Sequence, residues 1–263
     1  MSTTKKIGIL TSGGDCAGLN AVIRAVVNSA SRLGWEVYGI KNGTDGLTEK
    51  PLAYEILTVH NFSDTPWPRI SGSYLGSLNK GVKMESLEEV SKRFGEGVKT
   101  LGLDAIVVVG GDGSMNIVSN YCKNAGVKMV GIPKTIDNDL FGTDHCPGYA
   151  SAAKYVATTC MEIYRDARVY DTGMITVIEI MGRNAGWLTA SAALASVKGC
   201  GPDLIYLPEV PFDMNSFMEK VQKIYDTNGK CIVCVSEGIR DKDGKYISEY
   251  GNDLSNAKDG FGH

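Results

Sequence analysis

Residues 105–114 read AIVVVGGDGS. Five apolar residues, three of them valine, run without polar alternation, as a strand buried on both faces should. The run stops at two glycines and an acid, and a helical pattern over 115–124 follows. The same order recurs along the chain. Strand patterns fall at 7–11, 36–41, 105–109, 129–132, 175–180, 204–207 and 231–235. Helical patterns fall at 19–33, 87–101, 115–124, 149–166, 185–196 and 214–225. Repeated strand-then-helix order predicts an α/β fold with doubly wound, mostly parallel sheets. Residues 44–83 are less regular, with prolines at 51, 66 and 68, and read as a loop-rich excursion with room for a hairpin.

The chain of 263 residues is 43% hydrophobic and 22% charged, with net charge −3. That balance suits a large α/β protein and gives no general surface for nucleic acid or membrane, so an anionic ligand must be held by local groups. The apolar run at 7–10 is too short for a leader or a span, and a cytoplasmic location is expected. The seven cysteines suit reduced core thiols. Cys231 and Cys234 have CxxC spacing, but they sit in a strand pattern, where positions three apart face opposite sides.

In open parallel sheets, ligands bind beyond the carboxyl ends of strands. Four polar clusters fall there: TSGGD, GGDGS, PKTIDND and MGRN. Clusters at equivalent strand ends are expected to converge. Gly13-Gly14-Asp15 allows close approach to an anion, although Asp15 could equally cap the next helix. Around Gly111, Asp112, Gly113 and Ser114 the backbone can wrap a phosphate while Asp112 reaches Mg2+. The alternative is a plain glycine turn with Asp112 or Ser114 as a cap. Lys134, Thr135, Asp137 and Asp139 make the densest cluster. A carboxylate there can take the proton of an attacking hydroxyl, the lysine can offset charge on a transferred phosphoryl group, and the threonine can bond a phosphate oxygen. Asp137 and Asp139, two apart in an extended loop, are expected to point the same way. Arg183 could clamp a sugar phosphate and Glu237 could bond sugar hydroxyls, or each could be an ordinary surface residue. His60 and His145 show no partner by spacing and read as structural or surface residues.

LTSGGDCAGLNAVIR (10–24), GGDGS (110–114), GIPKTIDNDL (131–140) and MGRNAGWL (181–188), in this order and spacing, resemble the 6-phosphofructokinase family. The resemblance implies two similar α/β domains with the active site in the cleft between them. One would bind the donor over 1–145 and the other fructose 6-phosphate over 146–263. It implies phosphoryl transfer with Mg2+ from ATP, or alternatively pyrophosphate, to the 1-hydroxyl of fructose 6-phosphate, a glycolytic step. It further implies a cytoplasmic homodimer or homotetramer. Matched motif by motif, Asp137 resembles the general base, supported by Asp139 and Thr135, with Lys134 as charge stabiliser. Asp112 resembles the Mg2+ residue. Gly14, Gly111, Gly113 and Ser114 would line the donor phosphates, with Asn79 and Lys80 beside them. Thr135, Ile136, Asp137, Met181, Gly182, Arg183, Glu237 and His263 match fructose 6-phosphate positions.

Two positions bear on the donor. Pyrophosphate users in the family put a second acid where this chain has Gly113, in the space of the ATP α-phosphate, so Gly113 favours ATP. Lys134 pulls the other way, being common in pyrophosphate users. Asn79 stands where many ATP users carry arginine, and Met174 where many members carry a basic residue that reaches a neighbouring subunit's substrate. Asn28 replaces an arginine of the bacterial effector site, while Arg24 remains. The family continues past the position of His263 through an arginine-bearing substrate segment. A truncated, non-catalytic nucleotide-binding or assembly subunit is therefore a competing expectation, and a GGDG-containing kinase for NAD or a lipid is a third.

Overall fold

A computed structural model of the chain describes residues 4–78 and 86–254. Its contacts divide the chain into two units, Met1–Ile136 with Leu140–Gly148, and Asp137–Asp139 with Tyr149–His263. In the first unit the order is β1 (Lys6–Ser12), α1 (Leu19–Arg32), β2 (Glu36–Ile40), α2 (Asp45–Thr48), β3 (Tyr54–Leu57), α3 (Leu87–Leu101), β4 (Ala105–Gly110), α4 (Asp112–Ala125) and β5 (Met129–Pro133). The sheet order is β3-β2-β1-β4-β5, with every neighbour parallel except β3, which runs antiparallel to β2.

The missing polar alternation in β1 and β4 follows from this arrangement. Ile7, Ile9 and Val109 pack with Leu19, Ile23 and Val27 of α1 in one core. Leu10, Ile106 and Val108 pack with Phe94 and Val98 of α3 and with Val118 of α4 in another. A strand between two helical layers must be apolar on both faces. The strand order reverses between β1 and β4, whose last residues, Ser12 and Gly110, are in register. That reversal is the kind of crevice where open α/β sheets take ligands.

The second unit runs α5 (Tyr149–Asp166), β6 (Met174–Ile180), α6 (Trp187–Ala190), β7 (Leu204–Tyr206), α7 (Met214–Asn228) and β8 (Lys230–Ser236). Its parallel sheet has the order β6-β8-β7. Cys231 and Val233 pack against Val221 of α7. Cys234 instead meets Cys160 of α5, so the CxxC pair points to opposite faces. None of the seven cysteines is in a disulfide, and all are buried.

The loop-rich excursion holds the short helix α2 and an edge strand, β3, whose antiparallel pairing with β2 is the hairpin for which the sequence left room. One expectation needed correction. The expected helix over 185–196 is only α6, continued by a 3-10 turn over Ser191–Lys198. Ser191 Oγ donates to the Leu188 carbonyl at 2.6 Å, a local bond that competes with regular helical pairing. Among the described residues no helix is long and apolar enough to cross a membrane.

Candidate functional site

In the first unit three of the polar clusters meet. Gly13, at φ +90, has no room for a side chain: a Cβ there would lie 2.8 Å from Ser114 Oγ and 3.9 Å from Lys134 Nζ. Lys134 is buried, its backbone N–H donates to the Gly110 carbonyl at 3.0 Å, and its Nζ donates to the Gly14 carbonyl at 2.5 Å. The ammonium therefore ties the end of β5 to the turn after β1.

Helix α4 opens this cradle. Its N-cap is Gly111, with no side-chain cap bond, so neither Asp112 nor Ser114 serves as the cap. Asp112 lies exposed in the first turn, where unpaired N–H groups favour an anion. A Cβ added at Gly14 or at Gly113 would meet no protein atom within 4 Å. Neither has a positive φ, so the fold does not demand glycine at either position, and both face open space. Cys16 is buried, and burial pushes its thiol up to about 11, so it offers no thiolate near neutral pH.

Asp15 is not a helix cap. Its two carboxylate oxygens accept from the Gly72 and Ser73 N–H groups at 3.1 and 3.2 Å, and α1 starts only after Gly18. Buried Asn20 grips the same segment. Its amide donates to the Ile70 and Gly72 carbonyls at 3.2 and 2.8 Å and accepts from Tyr74 N–H at 2.7 Å. This clamp leads the chain to Ser77, whose Oγ donates to the Gly13 carbonyl at 2.5 Å. Gly13 N–H in turn donates to the Leu78 carbonyl at 3.1 Å. Sequence reading missed Asn20 and Ser77. Their partners lie 50 or more residues away, and only the glycines at 72 and 76 hint at a tight approach. Asn79 and Lys80 lie outside the described residues.

Thr135 forms an isolated parallel bridge with Gly148. Ile136 packs at the edge of the α1-side core. Asn138 takes φ +55, so the loop is not extended there, and alternation does not bring Asp137 and Asp139 to one side. Their environments differ as well. Asp139 is exposed and Asp137 half-buried, with Oδ1 shielded from solvent.

In the second unit, Ile180 and Ser236 end β6 and β8 in register. Met181 is exposed and Gly182 is buried at φ +123. Gly182 N–H donates to Glu237 Oε1 at 3.1 Å, and Ser236 Oγ donates to the Gly182 carbonyl at 2.8 Å. Glu237 thus holds the loop that carries exposed Arg183. His263 lies outside the described residues.

The family described as Phosphofructokinase matches residues 6–260. The ATP-dependent 6-phosphofructokinase 1 of Synechocystis sp. is 38% identical over 264 residues, covering 96% of this chain and 71% of the relative. The ATP-dependent 6-phosphofructokinase of Chloroflexus aggregans is 39% identical over 258 residues, covering 94% and 69%. The solved pyrophosphate-dependent phosphofructokinase from Marinobacter aquaeolei aligns with a TM-score of 0.73 at 30% identity, over 90% of this chain. The chain spans 62% of the length of that solved protein.

Proposed function

The chain belongs to the phosphofructokinase family, and from that membership we propose that it transfers a phosphoryl group from ATP to the 1-hydroxyl of fructose 6-phosphate. The observation that carries the donor reading is the open space at Gly14 and Gly113, beside the N-terminus of α4. Both glycines are unneeded by packing, and both leave room where a nucleotide's phosphates would lie.

In this reading residues 1–145 bind the donor and residues 146–263 the sugar phosphate. Gly14, Gly111, Gly113 and Ser114 line the donor phosphates, joined by Asn79 and Lys80. Asp137 accepts the proton of the 1-hydroxyl as its oxygen attacks phosphorus, with Asp139 and Thr135 in support. Lys134 keeps the turn after β1 in place and brings positive charge to the cradle. Ile136, Met181, Gly182, Arg183, Glu237 and His263 hold the sugar. Glu237 spends one oxygen on Gly182 N–H and offers the other to a hydroxyl.

Mg2+ would neutralise charge on the transferred group. Among the described residues no three acidic, histidine or cysteine side chains cluster to hold a metal by themselves. A single carboxylate, Asp112, fits an ion that keeps phosphate and water as its other ligands. We place the protein in the cytoplasm as a homodimer or homotetramer.

Lys134 and the pyrophosphate-dependent relative favour a second reading, with pyrophosphate as donor. A coupled assay with fructose 6-phosphate, Mg2+ and either donor tests both. Turnover with ATP supports the first reading, and turnover with pyrophosphate alone overturns it. Nucleotide binding without turnover on either donor supports a non-catalytic subunit.

A further inference from the structure

Asn20 is the second residue of α1, and only 1% of its surface is exposed. It lies among Leu19 and Ile23 on the part of α1 that is buried. An amphipathic helix would take an apolar residue there, and a buried amide is costly unless its hydrogen bonds are made. Asn20 makes them to one segment, residues 70–74. Its two donors go to the Ile70 and Gly72 carbonyls, and its oxygen accepts from Tyr74 N–H. Two donors and an acceptor on one short branch are what asparagine carries. Aspartate has no donor to offer the two carbonyls, and leucine has neither donor nor acceptor.

Residues 70–78 belong to no helix or strand, so side chains and single hydrogen bonds hold this strap. Leu75 is buried in the α1-side core. Thr11 Oγ1 donates to the Gly76 carbonyl at 2.5 Å and lies 2.8 Å from Ser73 Oγ. Asp15 and Asn20 tie one end of the strap. At the other end Ser77 Oγ donates to the Gly13 carbonyl, and the Leu78 carbonyl accepts from Gly13 N–H. The turn at Gly13 and Gly14 depends on these ties. A Cβ at Gly14 would meet no protein atom within 4 Å, so nothing packs there to fix the backbone. Lys134 Nζ holds the turn from the β5 side, and the strap holds it from the other.

A phosphate taken by this turn needs backbone donors at about 3 Å, and small misplacements of such donors are costly. We propose that Asn20 is a positioning residue for the phosphoryl donor. It fixes residues 70–74, and through Ser77 and Leu78 the strap fixes the turn. Asn20 touches no donor itself, because it is buried and both its N–H donors are spent. The inference rests on the reading of this turn as part of the donor site. It goes beyond that reading by naming a residue outside the turn that sets its geometry.

The experiment is calorimetric titration of wild type, Asn20→Ala, Ser77→Ala and the double variant, with Mg2+ present and circular dichroism as the check on folding. The probes are a non-hydrolysable ATP analogue, pyrophosphate and fructose 6-phosphate. Asn20→Ala should weaken the donor that wild type binds by about tenfold or more, while fructose 6-phosphate affinity holds. Ser77→Ala should weaken the same donor. The double variant should lose little more than Asn20→Ala alone, since both changes release one strap. Equal donor affinity in wild type and Asn20→Ala overturns the proposal, and so does an equal loss of donor and fructose 6-phosphate, which would mark a general structural role. Wild-type donor affinity in Ser77→Ala, or losses that simply multiply in the double variant, overturns the route through the strap. Should Asn20→Ala fail to fold, Asn20→Ser, which keeps a hydroxyl donor and acceptor, takes its place in every comparison. Wild type that binds neither the ATP analogue nor pyrophosphate sinks the donor reading, and the inference with it.

Discussion

A Cβ added at Gly113 would meet no protein atom within 4 Å, whereas one at Gly13 would lie 2.8 Å from Ser114 Oγ. The two glycines therefore answer to different constraints, one to a ligand and the other to the fold. Gly113→Asp separates them. An acid in the first turn of α4 faces unpaired N–H groups and should stabilise the helix by about 0.3–1 kcal/mol, so the variant should melt no lower than wild type. Its carboxylate would repel a nucleotide phosphate, and the KM for ATP should rise at least about tenfold, a loss of about 1.4 kcal/mol. An unchanged KM would show that Gly113 does not face the donor. For Asp137→Asn, steady-state kinetics should show kcat falling by about 10²–10⁴, while fructose 6-phosphate binding measured by calorimetry holds. A surviving rate would remove Asp137 as the base. The identities of these residues were legible because motif and strand end coincide in the sequence. Their contacts were not. Lys134 reaches Gly14 across 120 positions, and Asp15 reaches Gly72 and Ser73 instead of α1. No local pattern encodes such pairings.

At the scale of elements, what could be read was what packing makes periodic. β1 and β4 lie between two helical layers and show it as unbroken apolar runs. α1 buries Leu19, Ile23, Val27 and Ala30 on one stripe, the spacing of a helix with one face in the core. β3 was legible only as room for a hairpin, because it is four residues long, half exposed and antiparallel at the sheet edge, so it carries neither signal. The contact of α3 with α2 was equally silent: Leu47 packs with Phe94 and Val98, and the helix backbone passes close to it at Gly97. A Cβ at Gly97 would lie 2.4 Å from the Leu47 carbonyl oxygen. Alanine is favoured over glycine inside a helix by roughly 0.5–1 kcal/mol. Here backbone meets backbone and neither can turn aside, so the clash should win. Gly97→Ala is expected to lose about 1–3 kcal/mol, seen as an earlier urea midpoint. A midpoint at or above wild type would mean that α2 moves away freely.

For the molecule as a whole, the cysteines set a limit on alkaline stability. All seven are buried, in both units. Burial pushes Cys16 and Cys122 up to about 11 and Cys234 up to about 12. It raises Cys160 and Cys231 as well. An unfolded chain would ionise these thiols near the ordinary value of 9.0. Between that value and about 12 the unfolded state binds fewer protons than the folded one, so stability falls as pH rises. The contribution is fully present below pH 9 and is lost across that window, at no more than about 1.4 kcal/mol per thiol for each pH unit. Lys6, raised mainly by its contact with Tyr38, shifts the balance in the same direction. Because the chain divides into two units, for which a single two-state free energy is not assured, thiol labelling is the safer readout. At pH 8 without denaturant a maleimide should label no cysteine, and in urea it should label all seven. At pH 10.5 labelling should begin at clearly lower urea than at pH 8. Labelling at pH 8 without urea would mean that at least one thiol is open to solvent, and equal urea thresholds at the two pH values would mean that thiol burial does not govern alkaline unfolding.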